Sequence, residues 1–158
     1  MDISKFDDNK LLSLFNNVLD HIEKGKRIEE ANSLLSLIEK EWKKRLDKYL
    51  FADEKTVRPN VGMLQTIGYK VGNDGLSQLK REILLNHIIQ IQLPFCQSPS
   101  YMAEWGHPNS KKRYTKLVNV LNQLIFKKQN IPGFDVAVGD WKKDLSYVKE
   151  KWRPFFIK

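Results

Sequence analysis

Four residues able to do chemistry crowd the stretch EWGHPNSKKR, Glu104 to Arg113. Glu104 and His107 are of the types that move protons, Ser110 is of the type that serves as a nucleophile, and Arg113 is of the type that holds an anion. A catalytic reading needs a third group to orient the His107 ring, and this stretch supplies none. Glutamate and serine also occur near helix starts for capping reasons alone. The same region carries a second pattern. Between Glu104 and Asp135 there is no acidic residue, while Lys111, Lys112, Arg113, Lys116, Lys127 and Lys128 all fall there. That composition suits contact with a polyanion.

The helical period sharpens the pattern. At about 100° per residue, Tyr114, Leu117, Val118, Leu121, Leu124 and Ile125 share one side of a helix over 110–128. Lys112, Lys116, Asn119, Gln123 and Lys127 share the other. Lysines suit phosphates, and the amides of Asn and Gln suit base edges. Ser110 and the first backbone amides of the helix can hold a phosphate oxygen, with Lys111 and Arg113 beside it. The expected nucleic-acid surface is therefore Ser110, Lys111, Lys112, Arg113, Lys116, Asn119, Gln123 and Lys127, with no catalytic residue. A plain solvated face of an amphipathic helix would show the same lysines.

The eighteen or so positions YMAEWGHPNSKKRYTKLV resemble the helix-turn-helix of DNA-binding proteins, in which a helix, a glycine turn and a recognition helix follow in close succession. The resemblance implies DNA contact by the helix after Gly106. Met102 stands four before that glycine, where such motifs favour a small residue, and Lys112 stands six after it, where they favour an aliphatic one; Pro108 sits in the corner. Trp105 reads as a core anchor for the corner; were it and Tyr101 exposed beside Arg113, they would suit stacking on single strands.

Nothing implies a cofactor or a metal. Cys96 is the single cysteine, HExxH is absent, and neither His21 nor His107 has a histidine partner at i+4. His87 lies on an apolar face and reads as a hydrogen-bonded core residue. The glycines of VGMLQTIGYKVGNDG match neither GxxxxGK[ST] nor GxGxxG, so they give no phosphate loop.

The elements that must position the basic helix are helices too. Ser4 is placed to cap a first helix bearing Leu11, Leu12, Phe15, Val18, Leu19 and Ile22, ending near Gly25. A second runs from Ile28 to about Phe51 on Ile28, Ala31, Leu35, Ile38, Trp42, Leu46 and Tyr49, completing an N-terminal αα-hairpin. ADEKTVRPN, 52–60, reads as a connection and as the one candidate boundary, dividing 1–54 from 55–158 within what reads as one continuous domain. A short helix near Met63–Tyr69, a long one from 76 or 77 to 92, and a two-turn helix after Ser98 precede the basic helix. A last helix spans about Asp135 to Trp152, with Pro154 releasing the tail FFIK. No stretch alternates apolar and polar residues as a half-buried strand would. The expectation is all-α, a compact multi-helix bundle with a basic C-terminal sub-unit.

The 158-residue chain has a net charge of +8. Residues 1–54 hold 10 basic and 12 acidic side chains, and residues 55–158 hold 17 and seven. Such asymmetry favours a polyanionic partner. The acidic N-terminus is unlike a signal peptide and no apolar run reaches a membrane span, which with the lone cysteine gives a cytoplasmic expectation and no membrane partner. The leading functional expectation is non-enzymatic nucleic-acid binding. The alternative is an interaction module that holds an acidic protein with the same cations, or docks through Trp141, Trp152, Phe155 and Phe156. The second helix also offers a seam compatible with a homodimer through the hairpin.

Overall fold

The computed structural model describes residues 1–50 and 61–158, Tyr49 and Leu50 as backbone only, so the connection expected at 52–60 lies outside the described residues. Among the described residues the protein is all-α. A 3-10 turn, Ile3–Lys5, precedes α1 (Asp8–Glu23), α2 (Ile28–Leu50), α3 (Met63–Thr66), α4 (Gln78–Gln90), α5 (Pro99–Trp105), α6 (Lys111–Lys128) and α7 (Asp135–Phe156). The chain divides into two compact units, 1–68 with 92–102, and 69–91 with 103–158.

In the first unit α1 and α2 form the expected hairpin. Its cap is Asp7, whose carboxylate accepts the Lys10 amide at 2.7 Å, and not Ser4. Ser4 is drawn away because its amide and hydroxyl both donate to Asp2, closing the 3-10 turn one step earlier. Arg45 of α2 then binds the Phe6 carbonyl, Asp8 at 2.7 Å and Glu41 at 2.8 Å, tying the N-terminus to the hairpin. Gly25, at φ +65°, takes the left-handed conformation that ends α1 at little steric cost. Leu11, Phe15, Val18 and Leu19 are buried, as are Ala31, Leu35, Ile38 and Trp42, with the Phe15 and Trp42 rings 5.0 Å apart. Each buried valine, leucine, isoleucine or phenylalanine among them contributes roughly 1.5–3 kcal/mol by leaving water. The middle of the α2 seam is thus buried, while Ile28 at its start is exposed. Cys96 is a buried free thiol, pushed up to about 11 by burial.

The second unit is built on α4, α6 and α7. The α6 and α7 helices pair as an antiparallel hairpin around the turn at 129–134, where Gly133 has φ +89°. Leu84, Leu85, Ile88 and Ile89 of α4, Leu117 and Leu121 of α6, and Val138, Trp141, Val148 and Trp152 of α7 form the core. Helix α7 does not stop before Pro154 but continues through it to Phe156. A proline removes one amide and crowds the preceding turn, a cost that falls where few helical bonds remain. Phe156 repays the extra turn by stacking on Tyr114 at 5.8 Å and on Trp152 at 6.3 Å.

A buried polar network pins the segment before α4. Arg81, 4% exposed, binds Asp144, 1% exposed, through Nε at 2.8 Å and Nη2 at 3.2 Å. Tyr69 donates its hydroxyl to the same carboxylate, and Asp140 accepts the Gly72 amide at 3.0 Å while lying 3.6 Å from Arg81. Burial, followed by the charge of Asp144, pushes the Tyr69 pKa upward, so its proton stays in the hydrogen bond. Both carboxylates are consumed in holding 69–76 against α4 and α7.

Candidate nucleic-acid interface

Ser110 starts α6 as its N-cap: its hydroxyl accepts the Arg113 amide at 3.1 Å and donates to the His107 carbonyl at 2.7 Å. The first helical bond, Tyr114 amide to Ser110 carbonyl at 3.1 Å, leaves the Lys111 and Lys112 amides ahead of the ladder. Most long helices here open on acids, with Asp8 in α1, Glu29 and Glu30 in α2, and Asp135 in α7. Helix α6 opens instead on Lys111, Lys112 and Arg113 with no acid. Cations in the first turn oppose the positive end of the helix dipole, so this end of α6 carries a field that favours an anion.

Arg113 is not on that surface. Its side chain is 1% exposed and donates to four carbonyls: Ile88 at 2.6 Å, Ile91 at 2.9 Å, Trp105 at 3.0 Å and Gly106 at 2.9 Å. These belong to the ends of α4 and α5, whose last carbonyls need donors and carry partial negative charge. Burial lowers its pKa to about 10, which still leaves it charged at neutral pH. The expectation that Arg113 meets a phosphate is therefore corrected: it is the bolt of the corner.

That bolt also sets the corner apart from the helix-turn-helix it resembles. Gly106 turns the chain at φ +68°, and a Cβ there would meet the Lys112 side chain at 3.1 Å. Lys112 occupies the place of an aliphatic packing residue yet is itself exposed. Four charge-assisted hydrogen bonds replace the apolar contact. Trp105 is 1% exposed, and Tyr101 accepts the Met63 amide at 2.9 Å, so neither is an open stacking platform.

Lys111, Lys112, Asn119, Gln123 and Lys127 are exposed. Lys116 is half-buried, 2.9 Å from Glu104, with its ammonium 5.9 Å from the Trp105 ring centroid. Lys111, Lys112, Lys116 and Asn119 line a shallow open depression of about 400 Å³ together with Glu104 and Thr115. His107 is exposed and its carbonyl is used by Ser110, so the proton-transfer set of Glu104, His107, Ser110 and Arg113 is divided among an ion pair, a cap and a buried bolt.

Other exposed residues were not legible as part of the surface. Asn122 and Phe126 of α6 point outward, and Lys142, Lys149 and Arg153 of α7, seven and four residues apart, share one exposed side. The Arg153 end of that side adjoins α6, because Phe156 stacks on Tyr114 and the charge of Arg153 is felt at the Tyr114 hydroxyl, while Lys142 lies beside Gln78 and Glu82 of α4. The aromatic docking face weighed for a protein partner is largely spent internally: Trp141 and Trp152 are buried, and Phe156 is half-buried. Phe155 alone of the four is exposed.

Among the described residues no group of His, Cys, Asp and Glu is placed to hold a metal, and no helix is long and apolar enough to cross a membrane. Comparison with protein-family models, with curated proteins and with solved structures finds no match to this chain. Among the described residues the arrangement is all-helical, with exposed cations on α6 and α7.

Proposed function

We propose that the second unit binds nucleic acid, without transforming it, through the exposed surface of α6 and the adjoining side of α7. The observation that carries this reading is the partition of charge. Residues 1–68 and 92–102 hold 12 basic and 12 acidic side chains, whereas 69–91 and 103–158 hold 15 and seven. The second unit therefore carries the whole net charge of +8. Three of its seven acids are engaged, Asp140 and Asp144 with Arg81 and Glu104 with Lys116. Among the described residues, Lys111, Lys112, Lys127, Lys142, Lys149 and Arg153 have no carboxylate within ion-pair distance. Cations in rows on two adjacent helices suit phosphates, whose counterions are released on binding.

Titration of a labelled oligonucleotide over a salt series tests this. Affinity should fall steeply with salt, and Lys112→Gln with Lys127→Gln should reduce the slope of log K against log salt by about 0.9 for each phosphate that no longer meets a cation. Absence of binding at low salt would end the reading. An acidic protein partner would use the same lysines, but it gives no role to the amides between them.

A further inference from the structure

From Leu117 to Phe126 the exposed side chains of α6 are Asn119, Asn122, Gln123 and Phe126. Three are amides and the fourth is a phenyl ring 77% exposed to solvent. No charge interrupts them, although α6 carries cations before and after, at Lys112 and Lys127 among others. Solvation alone is served by any charged residue, and the set is unusual for its combination, three amides and a phenyl ring on one exposed stretch without a charge. The chemistry of base edges explains the set. Asn and Gln pair in bidentate fashion with adenine N6 and N7, and an apolar side chain such as Phe packs on the thymine methyl group.

We infer that α6 reads A·T base pairs in the major groove of B-form DNA, with Asn119, Asn122 and Gln123 facing adenines and Phe126 facing a thymine methyl. This rests on the nucleic-acid reading above and narrows it to one partner. The dimensions agree. Asn119 to Phe126 spans about 10 Å at about 1.5 Å per residue, which covers roughly three base-pair steps of about 3.4 Å. The B-form major groove admits a helix, whereas the deep and narrow major groove of A-form RNA does not. Lys112 and Lys127, one on each side of the reading stretch, fall where the helix would leave the groove and meet phosphates.

The test is fluorescence anisotropy with labelled duplexes of equal length at one salt concentration: A·T-rich DNA, G·C-rich DNA, the same A·T-rich duplex with uracil for thymine, duplex RNA and single-stranded DNA. The A·T-rich duplex should bind roughly ten- to a hundredfold more tightly than the G·C-rich one. Uracil should weaken binding about fourfold, the effect of one methyl group left in water. Phe126→Ala should lower affinity for the thymine duplex and erase the difference between thymine and uracil. Asn119→Ala with Gln123→Ala should weaken the A·T preference about tenfold or more, leaving what Asn122 and Phe126 supply, with the salt slope intact, since no charge changes. All of these positions are exposed, and unchanged helical circular dichroism confirms that the variants fold. Equal affinity for A·T-rich and G·C-rich duplexes, or binding of RNA or single strands as tight as that of A·T-rich DNA, would overturn the inference and leave the polyanion reading standing. No binding to any of the five at low salt overturns both.

Discussion

Arg113 carries a full positive charge into the second unit with no carboxylate beside it among the described residues, balanced by four carbonyls at the ends of two helices. Removing the donor strands those carbonyls, so Arg113→Ala should cost about 3 kcal/mol or more in urea unfolding. Arg113→Lys should recover only part, because one ammonium offers three protons from a single point and cannot reproduce the fork; a loss below about 1 kcal/mol for Ala would show that water replaces the arginine. His87 provides a pH test. Burial lowers its pKa from 6.5 to about 4, so the folded state keeps the ring neutral where the unfolded chain binds a proton. The unfolded state then holds more protons between about pH 6.5 and 4, and stability should fall as pH drops through that window and level off below it. His87→Gln should flatten that part of the profile in thermal melts; an unchanged profile would assign it to the carboxylates. Neither buried arginine was anticipated, since arginine is ordinarily exposed. The signal was present nonetheless. Arg113 lies four before Leu117 on the apolar stripe, Arg81 lies among Leu84, Leu85 and Ile88, and Asp144 sits between Trp141 and Val148. A charge lodged in an apolar face asks for a buried partner, and its identity depends on which helices meet.

Helix positions were legible because period and punctuation act locally. Ser77 and Ser110 cap α4 and α6, and Gly25, Gly106 and Gly133 turn the chain at positive φ. The misread ends, Ser4 and Pro154, were decided by contacts that spacing does not encode, the Asp2 carboxylate in one case and the Tyr114 and Trp152 rings in the other. Likewise the stripe of α6 was visible as a period, whereas its α7 neighbour row required the pairing of the two helices. The start of α6 lets stability and binding be separated. Ser110→Ala removes the cap and should cost about 1 kcal/mol. Ser110→Asp keeps an acceptor for the Arg113 amide and adds a negative charge where the dipole welcomes it, a gain of about 0.3–1 kcal/mol that offsets the lost donation to the His107 carbonyl, so thermal stability should stay close to that of the parent. If phosphate occupies this helix end, the same substitution should weaken oligonucleotide binding severalfold. Stability and affinity moving together would place the phosphate elsewhere.

At the scale of the molecule the two units differ in net charge by the full +8, and that difference gives the sharpest control for the proposed function. Any protein this basic attracts a polyanion weakly through its overall field, which depends on total charge and little on where the charges lie. Contact pairing depends on position. Lys43 and Lys44, exposed on α2, and Lys142 and Lys149, exposed on α7, can each be converted in pairs to glutamine, lowering the net charge equally from +8 to +6. If binding were the work of the overall field, the two double variants would lose the same modest affinity and keep nearly the same salt slope. If α6 and α7 form the contact surface, the α7 pair should flatten the slope of log K against log salt by about 2 while the α2 pair leaves it unchanged. Equal charge with unequal slope is an outcome that only a localised interface produces.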